Sequence, residues 1–276
     1  LISPVEMARN YIYLEQKQMI KKNIEVVSLV YKSVKYLHFI ADQLKSDLCD
    51  VEGWEVNVRI VANDATEEVL EELKKIDIPY SVFNNPDPKE FYLNRVYRAY
   101  NYAVTSSKFD NVCLVNSDDV FCKNWLTNLL KHHDGINIPC SRLIESGKME
   151  SGMHGVNLLK VEGYNFGTHP DNFNMESWLE YAESIKEDKI KIKGLYMPCV
   201  LSRERVIESG LYPVGNVFVH NGKLYSGFPN DRPVYKAGDD YYFHEILEKK
   251  YGMKHITVFD SPVYHIIEGE KDECAS

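Results

Sequence analysis

Four short runs of apolar and β-branched residues constrain this chain more than any other feature: IEVVSLV (24–30), VNVRIVA (56–62), IPYSVF (78–83) and VCLV (112–115). Each has the length and composition of a strand, the third being the weakest. Between them apolar residues recur with helical period. Val34, Leu37, Ala41, Leu44 and Leu48 follow the first run, Val69, Leu70 and Leu73 the second, and Leu93, Val96, Tyr97, Tyr100 and Val104 precede the fourth. Strands alternating with helices at this spacing are βαβ units and predict an α/β fold with a parallel sheet. Ligands of such sheets bind outside the carboxyl ends of the strands, so the residues that close each run are the first candidates for function.

The fourth run closes in CLVNSDDVF (113–121), where Asn116-Ser117-Asp118-Asp119 interrupts an otherwise apolar stretch. Asn, Ser and Asp all favour turns. Two hard oxygen ligands at a strand end also suit Mg²⁺ or Mn²⁺, which complete their shell with phosphate oxygens and water. The second run closes at Asp64, and Asp64-Ala65-Thr66-Glu67 has capping-box spacing, which predicts a helix starting at Asp64. A cap at that place can also touch a ligand. Arg95 and Arg98 lie on the helix before the acidic cluster, where either can meet a diphosphate or form a surface salt bridge.

After residue 140 the alternation breaks. One amphipathic helix is expected near Met175–Glu187, a strand over Leu195–Leu201, a helix over Arg203–Ser209 and a closing strand near Ile256–Phe259. The loop from Tyr212 to Gly238 is rich in glycine, proline and aromatics, and a loop of that length is usually functional or disordered. Gly238-Asp239-Asp240 then opens a helix over Asp239–Lys250. One of the two acids caps it, Asp239 being the better placed, and the other is left for general-base work. His265 follows the strand-like Val263-Tyr264 and is read either as a packed residue or as a metal ligand, while His132 and His133 read as solvated residues at a helix end.

Composition narrows the class. Acids outnumber bases (41 against 32, net charge −9) and no basic block stands out, which argues against a nucleic-acid partner. The six cysteines form no CxxC pair and there is no N-x-S/T sequon, so buried reduced thiols and a cytoplasmic setting are expected. Residues 4–22 read as a charged helix, Ser3–Lys22 is too polar for a signal peptide, and no run approaches the ~20 apolar residues of a membrane span. The first residue is Leu rather than Met, as expected of a piece cut from a longer chain.

The order of these pieces resembles the GT-A glycosyltransferases, in particular the inverting group called family 2. The strand Val27-Ser28-Leu29-Val30-Tyr31, the acidic turn Asn63-Asp64, and Asn101 fifteen positions before Asn116 match that family's opening half. Asn116-Ser117-Asp118-Asp119 matches its D-x-D-D motif with asparagine for the first acid. LSRERVIESGLYP (201–213) looks like its arginine-containing helix and glycine turn, and GDDYYFHEILEKKYGMKHITVFDSPVYH (238–265) like its G-E-D segment, helix, closing strand and histidine, with Asp239 replacing the glutamate.

The resemblance covers most of 24–268 and implies a GT-A, Rossmann-like domain. Its nucleotide-sugar half would span 24–140 and its acceptor and catalytic half 141–276, after a helical lead-in at 1–23. It implies a metal-dependent, hexosyltransferase-type enzyme taking a nucleoside-diphosphate sugar, UDP-sugar favoured, to a hydroxyl of a glycan or other acceptor. Asp240 falls on the catalytic base and Asp118 and His265 on ligands of Mn²⁺ or Mg²⁺. Val30, Tyr31, Asp64, Arg98, Asn101, Asn116 and Asp119 fall on the donor site. The segments 145–194 and 215–237 lie outside the resemblance and leave the acceptor open. Rivals are a sugar nucleotidyltransferase, which would carry a glycine-rich basic loop where Tyr31-Lys32-Ser33-Val34 stands, and a non-catalytic glycan- or nucleotide-binding module.

Overall fold

The computed structural model describes residues 22–90, 92–146, 159–161, 166–194, 197–214, 218–220, 223–225 and 241–266. The expected N-terminal helix, both acids of the Asp239-Asp240 pair and Cys274 fall outside them. The four apolar runs are strands: β1 (Asn23–Val30), β2 (Glu55–Asn63), β3 (Tyr80–Phe83) and β4 (Asn111–Asn116), hydrogen-bonded in parallel in the order β3-β2-β1-β4. Val26 and Val30 face one side of the sheet, against Leu37, Ile40 and Leu44 of α1 (Val34–Lys45). Val27 and Leu29 face the other, against Tyr97, Tyr100 and Val104 of α3 (Tyr92–Ser106). Strands covered on both faces read as continuous apolar runs, and that is why they stand out in the sequence. The buried charge in β2 is Arg59, which reaches Glu25 on β1 at 2.9 Å and the Ala103 carbonyl on α3, a buried ion pair with a further donor satisfied by Ser81 and Ser106.

Helix α2 (Glu67–Leu73) starts later than the sequence suggested. Its N-cap is Thr66, whose hydroxyl accepts from the Val69 N–H, while Asp64 sits in the left-handed region at φ 50° and caps nothing.

Beyond β4 the sheet continues as β9-β6-β12-β5, comprising β5 (Asp119–Phe121), β6 (Asn137–Ser146), β9 (Cys199–Ser202) and β12 (Lys254–His265). Two short strands, β7 (Leu159–Val161) and β8 (Ile190–Ile192), pair with β6 and β12. Only Ser117 and Asp118 separate β4 from β5, yet β5 lies four strands away along the hydrogen-bonded path. The sheet therefore curls back on itself, and that curl brings the end of β12 to the end of β4. The closing strand is longer than the expected Ile256–Phe259 because its register against β6 shifts between Val258 and Pro262 and then resumes.

The remaining helices are α4 (Trp125–Lys131), α5 (Met175–Ser184), α6 (Arg203–Glu208) and α7, a π-type segment Tyr241–Glu248 that continues as Lys249–Tyr251. A hairpin of β10 (Phe218–His220) and β11 (Lys223–Tyr225) lies within the long loop. Cys49, Cys113, Cys122, Cys140 and Cys199 are all buried, and none of them is in a disulfide with another described cysteine. No described helix is long and apolar enough to cross a membrane.

His133, just after α4, is a correction: it is buried rather than solvated, and its Nε2–H donates to Asn111 Oδ1 at 2.7 Å. Burial holds its pKa down at about 4, below its unfolded value near 6.5. A depressed histidine pKa contributes stability that is complete above the unfolded value and is lost as pH falls through the folded one. The parent should therefore lose up to about 3 kcal/mol more than His133→Gln between pH 7 and pH 4 in denaturant titrations. Equal losses in the two proteins would show that His133 is not held neutral by the fold.

Candidate active site

The parallel quartet reverses its winding between β1 and β4, and a crevice opens there at the strand carboxyl ends. Register sets its rim: Val30 stands opposite Ala62, Asn63 opposite Phe83, and Leu29 opposite Asn116. The cavity measures about 420 Å³ and is lined by Val30, Tyr31, Asn63, Arg95, Asn116, Asp118 and His265, with Tyr92, Tyr100 and Ser117 among the others. Two cavities of about 530 Å³ lie elsewhere, one between α1 and α5 and one around Lys22, Trp54 and His132. Size favours those two, but the chemistry is at the strand ends, so the smaller cavity is the candidate site.

The two adjacent acids divide their work. Asp119 is fully buried and its Oδ2 accepts from the Asn116 N–H at 2.8 Å, which closes the turn. Burial first, and the neighbouring Asp118 second, push its carboxyl up to about 7. Asp118 faces the cavity instead. Its Oδ2 lies 3.4 Å from His265 Nε2, and its buried Oδ1 has no hydrogen-bond partner among the described residues. Strand pairing produces this meeting, because antiparallel β12 and β5 set His265 opposite Asp119 and the Ile266 N–H on the Asp118 carbonyl at 3.0 Å. On the other side of the ring, His265 Nδ1 is 2.7 Å from Glu145 Oε1. Burial opposes charge on His265, but the flanking carboxylates of Asp118 and Glu145 outweigh it and raise its pKa well above the usual imidazole value.

That donor set fits a hard divalent cation. A carboxylate oxygen without a partner and an imidazole nitrogen converge at the mouth of an anion-sized crevice, and Mg²⁺ and Mn²⁺ ordinarily take few protein ligands beside phosphate and water. No group of three such side chains stands together among the described residues, so phosphate and water would complete the shell.

The opposite rim is a polar cluster. Asp64 Oδ1 accepts from the Asn85 N–H, and Oδ2 accepts from the Asn85 amide and from Arg95 Nη1 at 3.0 Å. Arg95 lies 5.7 Å from the centre of the Tyr31 ring, and its buried Nε has no hydrogen-bond partner among the described residues. Of the two arginines noted in the sequence, Arg95 lines the cavity. Arg98 is instead held by Glu90 through two hydrogen bonds of 2.7 and 3.2 Å. Asn101 also stands apart from the cavity, its amide bound on both sides to the Tyr212 backbone at 2.8 and 2.9 Å. Asp64 supports the rim through Arg95 and Asn85, and Asp119 supports it from below. Sequence reasoning missed Tyr92, Tyr100 and Glu145 as site residues, while Asn63 entered only through the Asn63-Asp64 turn. Tyr100 carried a signal in its helical spacing, and its hydroxyl donates to Asn116 Oδ1; Glu145 carried none.

This arrangement is the GT-A glycosyltransferase fold, with its crevice at the switch point and an acidic motif below it. No family model and no curated protein sequence matches the chain. Among solved structures it is similar to GalNAc-T7 crystallised with UDP, GalNAc and Mn²⁺, at a TM-score of 0.50 and 12% identity over 96% of this chain and 53% of that one. The mannosyltransferase PcManGT from Pyrobaculum calidifontis, in complex with GDP-Man and Mn²⁺, aligns at a TM-score of 0.49 and 11% identity, covering 95% of this chain and 65% of that one. S. aureus TarS 1–349 aligns at 0.48 and 15%, covering 88% and 60%. The chain thus spans about half to two thirds of the length of these proteins.

Proposed function

We propose that the chain is a metal-dependent inverting glycosyltransferase of the family 2 type. It would move a hexosyl group from a nucleoside-diphosphate sugar, UDP-sugar favoured, to a hydroxyl of a glycan or other acceptor. The observation that carries this reading is the pairing of Asp118 with His265 at the mouth of the switch-point crevice, with the open Nε of Arg95 on the opposite rim. The ligands of the GalNAc-T7 structure, UDP and Mn²⁺, are of the kinds this crevice suits.

Tyr31 and the end of β1 bind the nucleoside face, and Arg95, oriented by Asp64, offers its remaining donor to the diphosphate. Asp118 and His265 would hold Mn²⁺ or Mg²⁺. When bound, the cation neutralises charge that develops on the leaving diphosphate. Asp240, which lies outside the described residues, takes the proton from the acceptor hydroxyl as that oxygen attacks the anomeric carbon, so the configuration inverts. Asn116 and Asp119 hold the turn that aims Asp118. Arg98 and Asn101, already engaged by Glu90 and Tyr212, serve the donor site only by fixing α3 and the loop beside it.

The test is thermal unfolding against a panel of nucleotide sugars, with Mn²⁺ and with EDTA. A donor at ~100 times its Kd should add ~2.7 kcal/mol, and only in Mn²⁺. A larger shift from a nucleoside triphosphate would move the activity to nucleotidyl transfer. Stabilisation without sugar transfer to any hydroxyl would leave a binding module.

A further inference from the structure

The ring of His265 sits between two carboxylates that it does not treat alike. Glu145 Oε1 is 2.7 Å from Nδ1, a full hydrogen bond, whereas Asp118 Oδ2 is 3.4 Å from Nε2, a loose approach. A carboxylate only accepts, so Nδ1 carries a proton. A cation binding at Nε2 displaces the proton there, and with the remaining N–H held on Nδ1 the lone pair is on Nε2, the atom turned toward Asp118 and the cavity. Without that constraint the ring could carry its proton on Nε2 and donate it to Asp118, and the two side chains would satisfy each other.

The placement is a product of register. In parallel β6 and β12, Tyr264 stands opposite Ile144, which sets Glu145 beside His265. The Glu145 side chain is only 13% exposed, and a carboxylate so placed is costly unless something charged answers it. The geometry points to Glu145 as the positioning residue that keeps His265 in the Nδ1–H form and so leaves Nε2 open for a divalent cation. This rests on the reading of Asp118 and His265 as the ligand pair. Ligating histidines elsewhere are oriented in the same way by a carboxylate on the far nitrogen.

The test is a double-mutant cycle on the full chain, reading Mn²⁺ affinity in the presence of UDP from the electron paramagnetic resonance signal of free Mn²⁺. Glu145→Ala should weaken Mn²⁺ binding by about 10- to 100-fold. Glu145→Gln, whose Oε1 can still accept from Nδ1–H, should recover part of that loss. In a His265→Ala background, Glu145→Ala should cause no further loss, because the ring it positions is gone. Circular dichroism checks folding, and Glu145→Leu enters the same cycle if the alanine variant unfolds. Undiminished Mn²⁺ affinity in Glu145→Ala would overturn the proposal. So would an equal loss with and without His265, since Glu145 would then act as a general charge or a folding element. A parent protein that binds no Mn²⁺ with UDP would remove the ligand pair itself, which separates that failure from this one.

Discussion

Asp118→Ala should abolish Mn²⁺-dependent binding of a nucleoside diphosphate and leave the fold intact. The Asp118 carboxylate closes no turn: its buried Oδ1 has no partner among the described residues, and the backbone carbonyl that receives the Ile266 N–H is untouched by the substitution. If Asp118 and His265 are the ligand pair proposed above, removing the side chain takes away half of the protein's grip on the cation, and a loss exceeding about 100-fold is expected, since even residues behind a metal ligand are worth 10- to 100-fold. The adjacent acid makes the control. Asp119→Ala leaves the Asn116 N–H without its acceptor in a buried turn and should cost about 1–3 kcal/mol of stability. Calorimetric titration of UDP with and without Mn²⁺, beside denaturant unfolding, reads both. If Asp118→Ala binds UDP in Mn²⁺ as tightly as the parent, the metal reading of the motif is wrong.

Asp240→Asn should lose turnover by ~10²- to 10⁴-fold while keeping donor affinity and thermal stability. An amide cannot take up the acceptor proton at neutral pH. It caps a helix as well as a carboxylate does, so the substitution gives Tyr241–Glu248 no reason to melt. Asp239→Asn should stay active, since that residue is assigned the cap. The product's anomeric configuration, followed by NMR during the reaction, should be opposite to the donor's. Retention of configuration, or an Asp240→Asn enzyme of parental rate, would remove both the single displacement and the assignment of Asp240.

The sequence by itself determined the parallel quartet and the place where a ligand would sit. Strands covered on both faces are apolar along most of their length, so β1, β2 and β4 stand out as runs, and the polar residues that end them mark the carboxyl edge. Asn116 to Asp119, Val30 and Tyr31 were legible for that reason, because each is defined by its position along one element. What only the tertiary structure decided depends on residues far apart in the chain. Two oxygen side chains could begin α2, and Thr66 does so because Asn85 and Arg95 hold the Asp64 carboxylate. Arg95 and Arg98 are three residues apart on one helix, and Glu90 decides which of them the crevice receives. His133 is buried because Asn111 on β4 reaches its ring, and Asn101 is withdrawn from the crevice by Tyr212. Glu145 meets His265 across 120 positions through the register of β6 on β12. Local periodicity reports which face of an element is apolar, but a polar side chain's partner is set by strand order and curl, and those belong to the whole sheet.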